Sequence, residues 1–420
     1  MWSATQAVPD PDSATDRRDR LLLVSSDSHV VEPADLWLER LPRAFRERAP
    51  RAIRDPGNGH VYFNATGAAR GVDLTLSVSA GLSNAEVDSI LADDPDAVPG
   101  VLGGADASAR LRDLWEDGVV ADVLYPTCGL ALMQSDDAPL QEACFSVYND
   151  WLAAFCATDP ARLIGLALIA CWDMGRATAE LERARGLGLR GAVIWTAPPT
   201  SDSFFHPRYE RLWSAAEALG MPLAVHTLGG QRASRDVALL GTTVEASFHV
   251  AIDYRQELQR TVCELVAAGV FARHPRLRVV GAEAGIHFLA EMARRLDSGY
   301  RGFWSALSDN ELTEPPSFYL RRNVWLTYIS DPVGLSNVGF TGTDRLMWSG
   351  DYPHGASTWP RSREIVDREH AALDREDLVR LTSSNCADLY GIDLAEVAHP
   401  SPVIDLSVVT GEGAVSHPAR

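Results

Sequence analysis

The sequence predicts a (β/α)8 barrel with a long insertion after its first strand, and three observations carry that prediction. From Leu21 onward, short β-type runs alternate with longer helical stretches. Eight such β-type runs can be read. Four segments end an apolar run in a metal-binding side chain: Leu21–Val24 into Asp27-Ser28-His29, Leu223–Val225 into His226, Leu277–Ala282 into Glu283, and Leu346–Gly350 into Asp351. A buried strand that ends this way aims its last side chain at a shared rim, which in a β/α barrel is the C-terminal mouth.

Taken in order, the predicted strands are Leu21–Ser25, Val119–Tyr125, Leu163–Ile169, Gly191–Trp195, Leu223–His226, Arg278–Ala282, Val324–Ile329 and Arg345–Ser349. Helical stretches separate most of them: Leu140–Ala157, Arg176–Leu187, Pro207–Leu219, Tyr254–Phe271 and Phe288–Leu296. Doubly wound α/β sheets share this alternation; the common chemistry of the strand ends favours the barrel.

One interval breaks the rhythm. Between the first two strands lie residues 30 to 118, of which Pro42–Gly104 is rich in Gly, Pro, Asp and Ser, with short β-like pieces at His60–Phe63 and Leu74–Val78. An insertion at this βα loop hangs over the mouth and can act as a lid or substrate selector. A structureless surface insertion is the alternative, and composition does not separate the two. Asp297–Pro316 reads as a second long loop near the mouth, with Tyr300, Phe303 and Trp304 as candidate pocket aromatics. Residues 1–20 read as a disordered tail, 21–392 as the barrel with its 42–104 insertion, and 393–420 as a C-terminal tail, loop-like and peripheral from about His399.

Bulk properties narrow the function. Lys plus Arg is 38 and Asp plus Glu is 57, a net charge of −19, which disfavours nucleic acid or an anionic membrane as partner. No apolar run approaches the roughly 20 residues of a membrane helix. Met1–Arg20 is polar and lacks a secretory pattern, so a cytoplasmic protein is expected. The six cysteines show no paired spacing and read as reduced, buried small residues.

The candidate site starts from Asp27 and His29, which alternation on an extended chain places on one side. Glu32 can reach the same ion or a neighbour of it. His226, Glu283 and Asp351 add an imidazole and two carboxylates. His287, four residues after Glu283, faces the same cavity if a helix begins at Ala284. Glu32 and His287 are balanced between ligand and support for a ligand. Mixed nitrogen and oxygen donors without cysteine suit a catalytic divalent ion such as Zn, Mn or Fe. Such an ion activates water or polarises a carboxylate, with Asp351 and His354 available to move a proton. His60, His274, His370, His399 and His417 read as surface or hydrogen-bonded residues, and His206 as structural. His249 stays undecided. Nucleophile elbow, P-loop and dinucleotide fingerprint are absent.

At these residues the chain resembles the amidohydrolase-related family that includes the aminocarboxymuconate semialdehyde and resorcylate decarboxylases. The resemblance runs through Ser26-Asp27-Ser28-His29-Val30-Val31-Glu32-Pro33, Gly220-Met221-Pro222 to His226-Thr227, Ala282-Glu283-Ala284-Gly285-Ile286, Gly350-Asp351-Tyr352-Pro353-His354 and Asn385-Cys386-Ala387. It implies a TIM barrel whose metal is held by Asp27, His29, His226 and Asp351, a small-molecule substrate and a homo-oligomer. Two positions depart from it: Asp-x-His replaces His-x-His or Glu-x-His at the first strand, and Glu283 stands where some members have a catalytic His.

The leading expectation is a metal-dependent enzyme that hydrolyses or non-oxidatively decarboxylates a small organic substrate. The seven candidate ligands also resemble a branch of the fold in which a dinuclear Fe or Mn site activates oxygen, a monooxygenase. A non-catalytic scaffold is the third reading.

Overall fold

Eight parallel strands pair in the order of the chain, each to the next, in a computed structural model that describes residues 21–65, 71–199, 202–230, 252–307 and 309–404. They are β1 (Leu23–Val30), β5 (Val119–Pro126), β6 (Leu163–Leu168), β7 (Gly191–Val193), β8 (Leu223–His226), β9 (Val279–Ala282), β10 (Val324–Tyr328) and β11 (Leu346–Trp348). Every barrel strand but β5 is buried throughout. That is why these strands read as continuous Val/Leu/Ala runs rather than as alternating ones.

The barrel closes between β11 and β1. Ser26 Oγ donates to the Trp348 carbonyl at 2.8 Å, Asp351 N donates to the Asp27 carbonyl at 3.0 Å, and His29 N donates to the Tyr352 carbonyl at 2.7 Å. β1 turns toward β11 there because its register with β5 is interrupted between Ser25 and Ser28. The first strand therefore runs past its predicted end at Ser25, and Asp27 and His29 lie inside it. The interruption breaks the simple alternation that ended the prediction.

Helices fill the outside. Ala138–Cys156 starts with Asp137 accepting from Leu140 N, and Met174–Gly186 with Asp173 accepting from Arg176 N. Glu210–Leu219 ends at Gly220 in the left-handed conformation that only glycine adopts cheaply. No helix among the described residues is long and apolar enough to cross a membrane. All six cysteines are free and buried.

The insertion is structured. β2 (Arg51–Arg54), β3 (Val61–Asn64) and β4 (Val72–Asp73) form an antiparallel sheet, followed by a helix at Asn84–Asp93 with a Ser83/Glu86 capping box. The β-like piece expected at Leu74–Val78 is instead a short 3-10 turn at Leu76–Val78. Ala80 N donates to the Pro353 carbonyl and Val31 N to the Gly104 carbonyl, so the insertion leans on the loops that leave β1 and β11.

One expectation is corrected. Asp297–Pro316 is not an open loop of pocket aromatics: the helix Leu289–Gly302 absorbs its first third. Tyr300 Oη donates to the Leu312 carbonyl, Trp304 lies against Gly299, and Phe303 is 76% exposed. Of the predicted tail 393–420, residues 405–420 lie outside the described residues. The described part forms a helix at Leu394–Val397 with Val397 buried, and Arg162 donates to the Glu396 and His399 carbonyls.

Candidate metal centre

Two overlapping clusters of metal-ligating atoms lie at the C-terminal ends of β1, β8 and β11. Asp27, His29 and His226 form one; His29, Asp351 and His354 form the other, with donor atoms in each within 4.8 Å of one another. His29 Nε2 lies 3.8 Å from Asp27 Oδ1 and 3.7 Å from Asp351 Oδ1. His226 Nε2 lies 3.6 Å from the same Asp27 oxygen. These separations are too long for direct hydrogen bonds and suit donors arranged around one small cation.

Both imidazoles are oriented from behind. His29 Nδ1 lies 2.9 Å from the Pro126 carbonyl and His226 Nδ1 lies 2.7 Å from the Thr227 carbonyl. A carbonyl only accepts, so in each ring Nδ1 carries a proton and Nε2 is the nitrogen left facing the shared centre. Asp27 Oδ2 accepts from Thr327 Oγ1 at 2.9 Å, and Thr327 Oγ1 in turn accepts from Glu283 N. The remaining atoms, Asp27 Oδ1 and His226 Nε2, are buried without a hydrogen-bond partner. Orphaned polar atoms at such depth cost free energy unless something satisfies them, and a divalent cation fits both.

Asp351 and Glu283 hold left-handed backbone at φ 54° and 57°, which a non-glycine residue adopts only when its surroundings impose it. In each case the strand has just ended and the turn swings the carboxylate back over the mouth. His354 Nδ1 lies 3.0 Å from Asp351 Oδ1 and its Nε2 lies 3.2 Å from Thr127 Oγ1, with the ring stacked on His29 at 4.2 Å.

The electrostatics divide the three histidines. Burial, with His354 and His226 close by, holds His29 well below the usual imidazole range. Burial also opposes charge on His226, yet Asp27 and Glu283 outweigh it and push it up to about 9. Burial opposes charge on His354 too, and Asp351 beside it raises it. Asp351 is itself raised by burial, with Glu283 and Asp27 adding to the effect against His354.

The other predicted site residues lie elsewhere. Glu32 points away from both clusters: its carboxylate accepts from Thr127 N at 3.3 Å, Cys128 N at 2.9 Å and Gly129 N at 3.0 Å, at the start of the helix Cys128–Leu132. His287 has a half-exposed side chain, and its Nδ1 lies 3.0 Å from Asp331 Oδ2. Glu283 is at the rim, 3.9 Å from His226 Nε2, bonded to Thr227 Oγ1 and 3.6 Å from Arg255. His60 bridges Asp73 and Asp88, His274 meets Glu210, His370 meets Tyr328 Oη, and His206 accepts from Arg208 N. His249 and His417 lie outside the described residues.

Sequence reasoning missed the support around these ligands. Thr127, Thr227, Thr327 and Asp331 carry no spacing signal, because each meets a partner at least 44 residues away in sequence. Arg110 was missed too. It is fully buried and pairs with Asp122 at 2.6 Å.

Fold and site together define a β/α-barrel enzyme class whose members work with a divalent metal at the mouth. The amidohydrolase family model matches residues 123–392, and the chain belongs to that family as a metal-dependent enzyme. It is 26% identical over 260 residues to the gamma-resorcylate decarboxylase of Rhizobium sp. (strain MTP-10005), covering 56% of this chain and 74% of that one. An amidohydrolase from Mycobacterium avium subsp. paratuberculosis K-10 superposes with a TM-score of 0.69 at 21% identity, over 89% and 99% of the two chains. The 5-carboxyvanillate decarboxylase of Novosphingobium aromaticivorans DSM 12444, complexed with manganese and 4-hydroxy-3-methoxy-5-nitrobenzoic acid, gives 0.63 at 18%, over 92% and 100%.

Proposed function

We propose that this enzyme removes carbon dioxide non-oxidatively from a small aromatic carboxylate that carries a neighbouring hydroxyl group. The observation that carries the proposal is the pair of orphaned atoms, Asp27 Oδ1 and His226 Nε2, facing the His29 Nε2 lone pair. Asp27, His29, His226 and Asp351 would hold one divalent ion, and manganese is the metal bound in three of the decarboxylase structures it resembles. When bound, such an ion supplies Lewis-acid polarisation to the substrate's oxygens.

The chain's own residues do the rest. Asp351 and His354 share a proton between Oδ1 and Nδ1 at 3.0 Å, and the pair can deliver it to the ring carbon that loses its carboxylate. The bond from ring carbon to carboxylate breaks, its electrons stay on the ring, and the delivered proton takes them up. Thr127 Oγ1 at His354 Nε2 holds the imidazole in line. The insertion, against the loops from β1 and β11, is the part of the chain we assign to substrate selection.

A dinuclear oxygenase would need Glu283 and His287 as further ligands, and His287 faces Asp331 and solvent instead.

The test is metal analysis of the purified chain followed by carbon dioxide release from a panel of hydroxybenzoates, with amides and lactones alongside. About one ion per chain and release from an ortho-hydroxylated carboxylate support the proposal. Turnover of amides or lactones alone, or oxygen uptake, would replace it.

A further inference from the structure

Arg110 donates to backbone carbonyls at both His29 and Tyr352. Its Nε and Nη2 donate to Asp122 Oδ2 at 2.8 and 2.6 Å. Its Nη1 donates to the His29 carbonyl at 2.7 Å and to the Gly103 carbonyl at 3.2 Å. Nη2 also reaches the Tyr352 carbonyl at 3.3 Å, and the guanidinium carbon sits 4.9 Å from the centre of the Tyr352 ring. One rigid fork thus touches the residue that ends β1's ligand pair, the residue directly after Asp351, and the last turn of the insertion. Asp122, on β5 and fully buried, fixes where the fork points.

We propose that Arg110 is a positioning residue for the metal centre: it holds the His29 and Tyr352 backbones in register, so that His29 and Asp351 face one point, and it latches the end of the insertion to them. The inference rests on the proposed metal site. A buried ion pair is weak evidence for stability alone, since its desolvation offsets much of its attraction. What distinguishes this one is the remaining donors, all spent on backbone at the site. Lysine keeps the charge for Asp122 but has no planar fork to span three carbonyls.

A control exists in the same molecule. Arg162 is also buried, pairs with Asp159 at 3.0 Å, and donates to the Glu396 and His399 carbonyls, contacts that secure the C-terminal segment instead. Both arginines staple backbone, and only one staples it at the ligands.

The experiment is Mn2+ titration of the full chain by calorimetry for wild type, Arg110→Lys and Arg162→Lys, with thermal unfolding of each. The expected result is Mn2+ affinity at least about tenfold weaker in Arg110→Lys, the size of effect seen for groups that support metal ligands, and unchanged in Arg162→Lys. If Arg110→Lys does not fold, the double variant Arg110→Met/Asp122→Leu replaces the ion pair with apolar volume and carries the same expectation. A folded Arg110 variant that binds Mn2+ as wild type does, or an equal loss in Arg162→Lys, overturns the positioning role while the metal site stands. A wild-type chain that binds no Mn2+ removes the metal site itself, and this inference with it.

Discussion

His29 Nδ1 lies 2.9 Å from the Pro126 carbonyl oxygen, and that contact decides which nitrogen of His29 faces the site. The carbonyl takes the proton-bearing nitrogen, leaving Nε2 between Asp27 and Asp351. His226 repeats the arrangement against Thr227. The two rings meet edge to face at 4.9 Å, both turning Nε2 toward one centre.

Replacing His226 with Ala should therefore remove bound metal and lower kcat/KM by at least about a hundredfold while the barrel stays folded. Metal analysis, turnover and circular dichroism on the same preparation check it. Full metal occupancy in the folded variant would refute the assignment.

His287→Ala should leave metal content unchanged, because the ring is half-exposed and turned to Asp331. A drop of one ion per chain would instead restore the two-metal reading.

Chelation should destabilise the protein. Without a cation, Asp27 Oδ1 and His226 Nε2 stay buried and unsatisfied. Mn2+ at one hundred times its Kd should raise stability by about 2.7 kcal/mol, read as a shift in Tm against an EDTA-treated sample.

Glu32→Gln keeps the side chain's shape but turns amide hydrogens toward backbone N–H donors of Thr127, Cys128 and Gly129. A loss of about 1–3 kcal/mol in urea unfolding is expected, with metal stoichiometry unchanged. Loss of metal without loss of stability would make Glu32 a ligand after all.

Asp331 sets a pH-dependent part of the stability. Burial pushes its carboxyl up, but the N–H groups of Gly334, Ile286 and His287 and the His287 ring pull it lower overall, below the usual 3.8. A depressed carboxylate contributes stability above its unfolded value, and that contribution fades as pH falls through the folded one. Wild type should thus exceed Asp331→Asn in Tm at pH 6–7, with the gap narrowing below about pH 4. A gap that stays constant down to pH 3 would contradict this account.

Much of this molecule is legible in its sequence. The eight predicted strands match the observed ones to within two residues at most ends, since fully buried parallel strands leave continuous Val/Leu/Ala runs bounded by capping residues and glycine. The end of β1 is the exception: past Ser25 the strand continues through polar Ser26–His29, held by contacts with the β11 end more than three hundred residues away. Asp27, His29, His226 and Asp351 are visible as strand endings, and the structure does bring them to one place. Of the sheet in the insertion only β3 is visible, as the piece at His60–Phe63; β2 and β4, four and two residues long, carry too little periodicity to be read.

The sequence by itself determined the order of the elements and the set of side chains able to reach the mouth, because local periodicity fixes which way a strand end points. Only the tertiary structure decided which of them share a centre. Glu32 and His287 are the same residue types as the proposed ligands, but each is captured first by donors or acceptors distant in sequence, the 127–129 backbone for one and Asp331 for the other. A carboxylate goes to whichever hydrogen-bond donors close on it, and those donors are assembled by barrel closure, not by spacing along the chain.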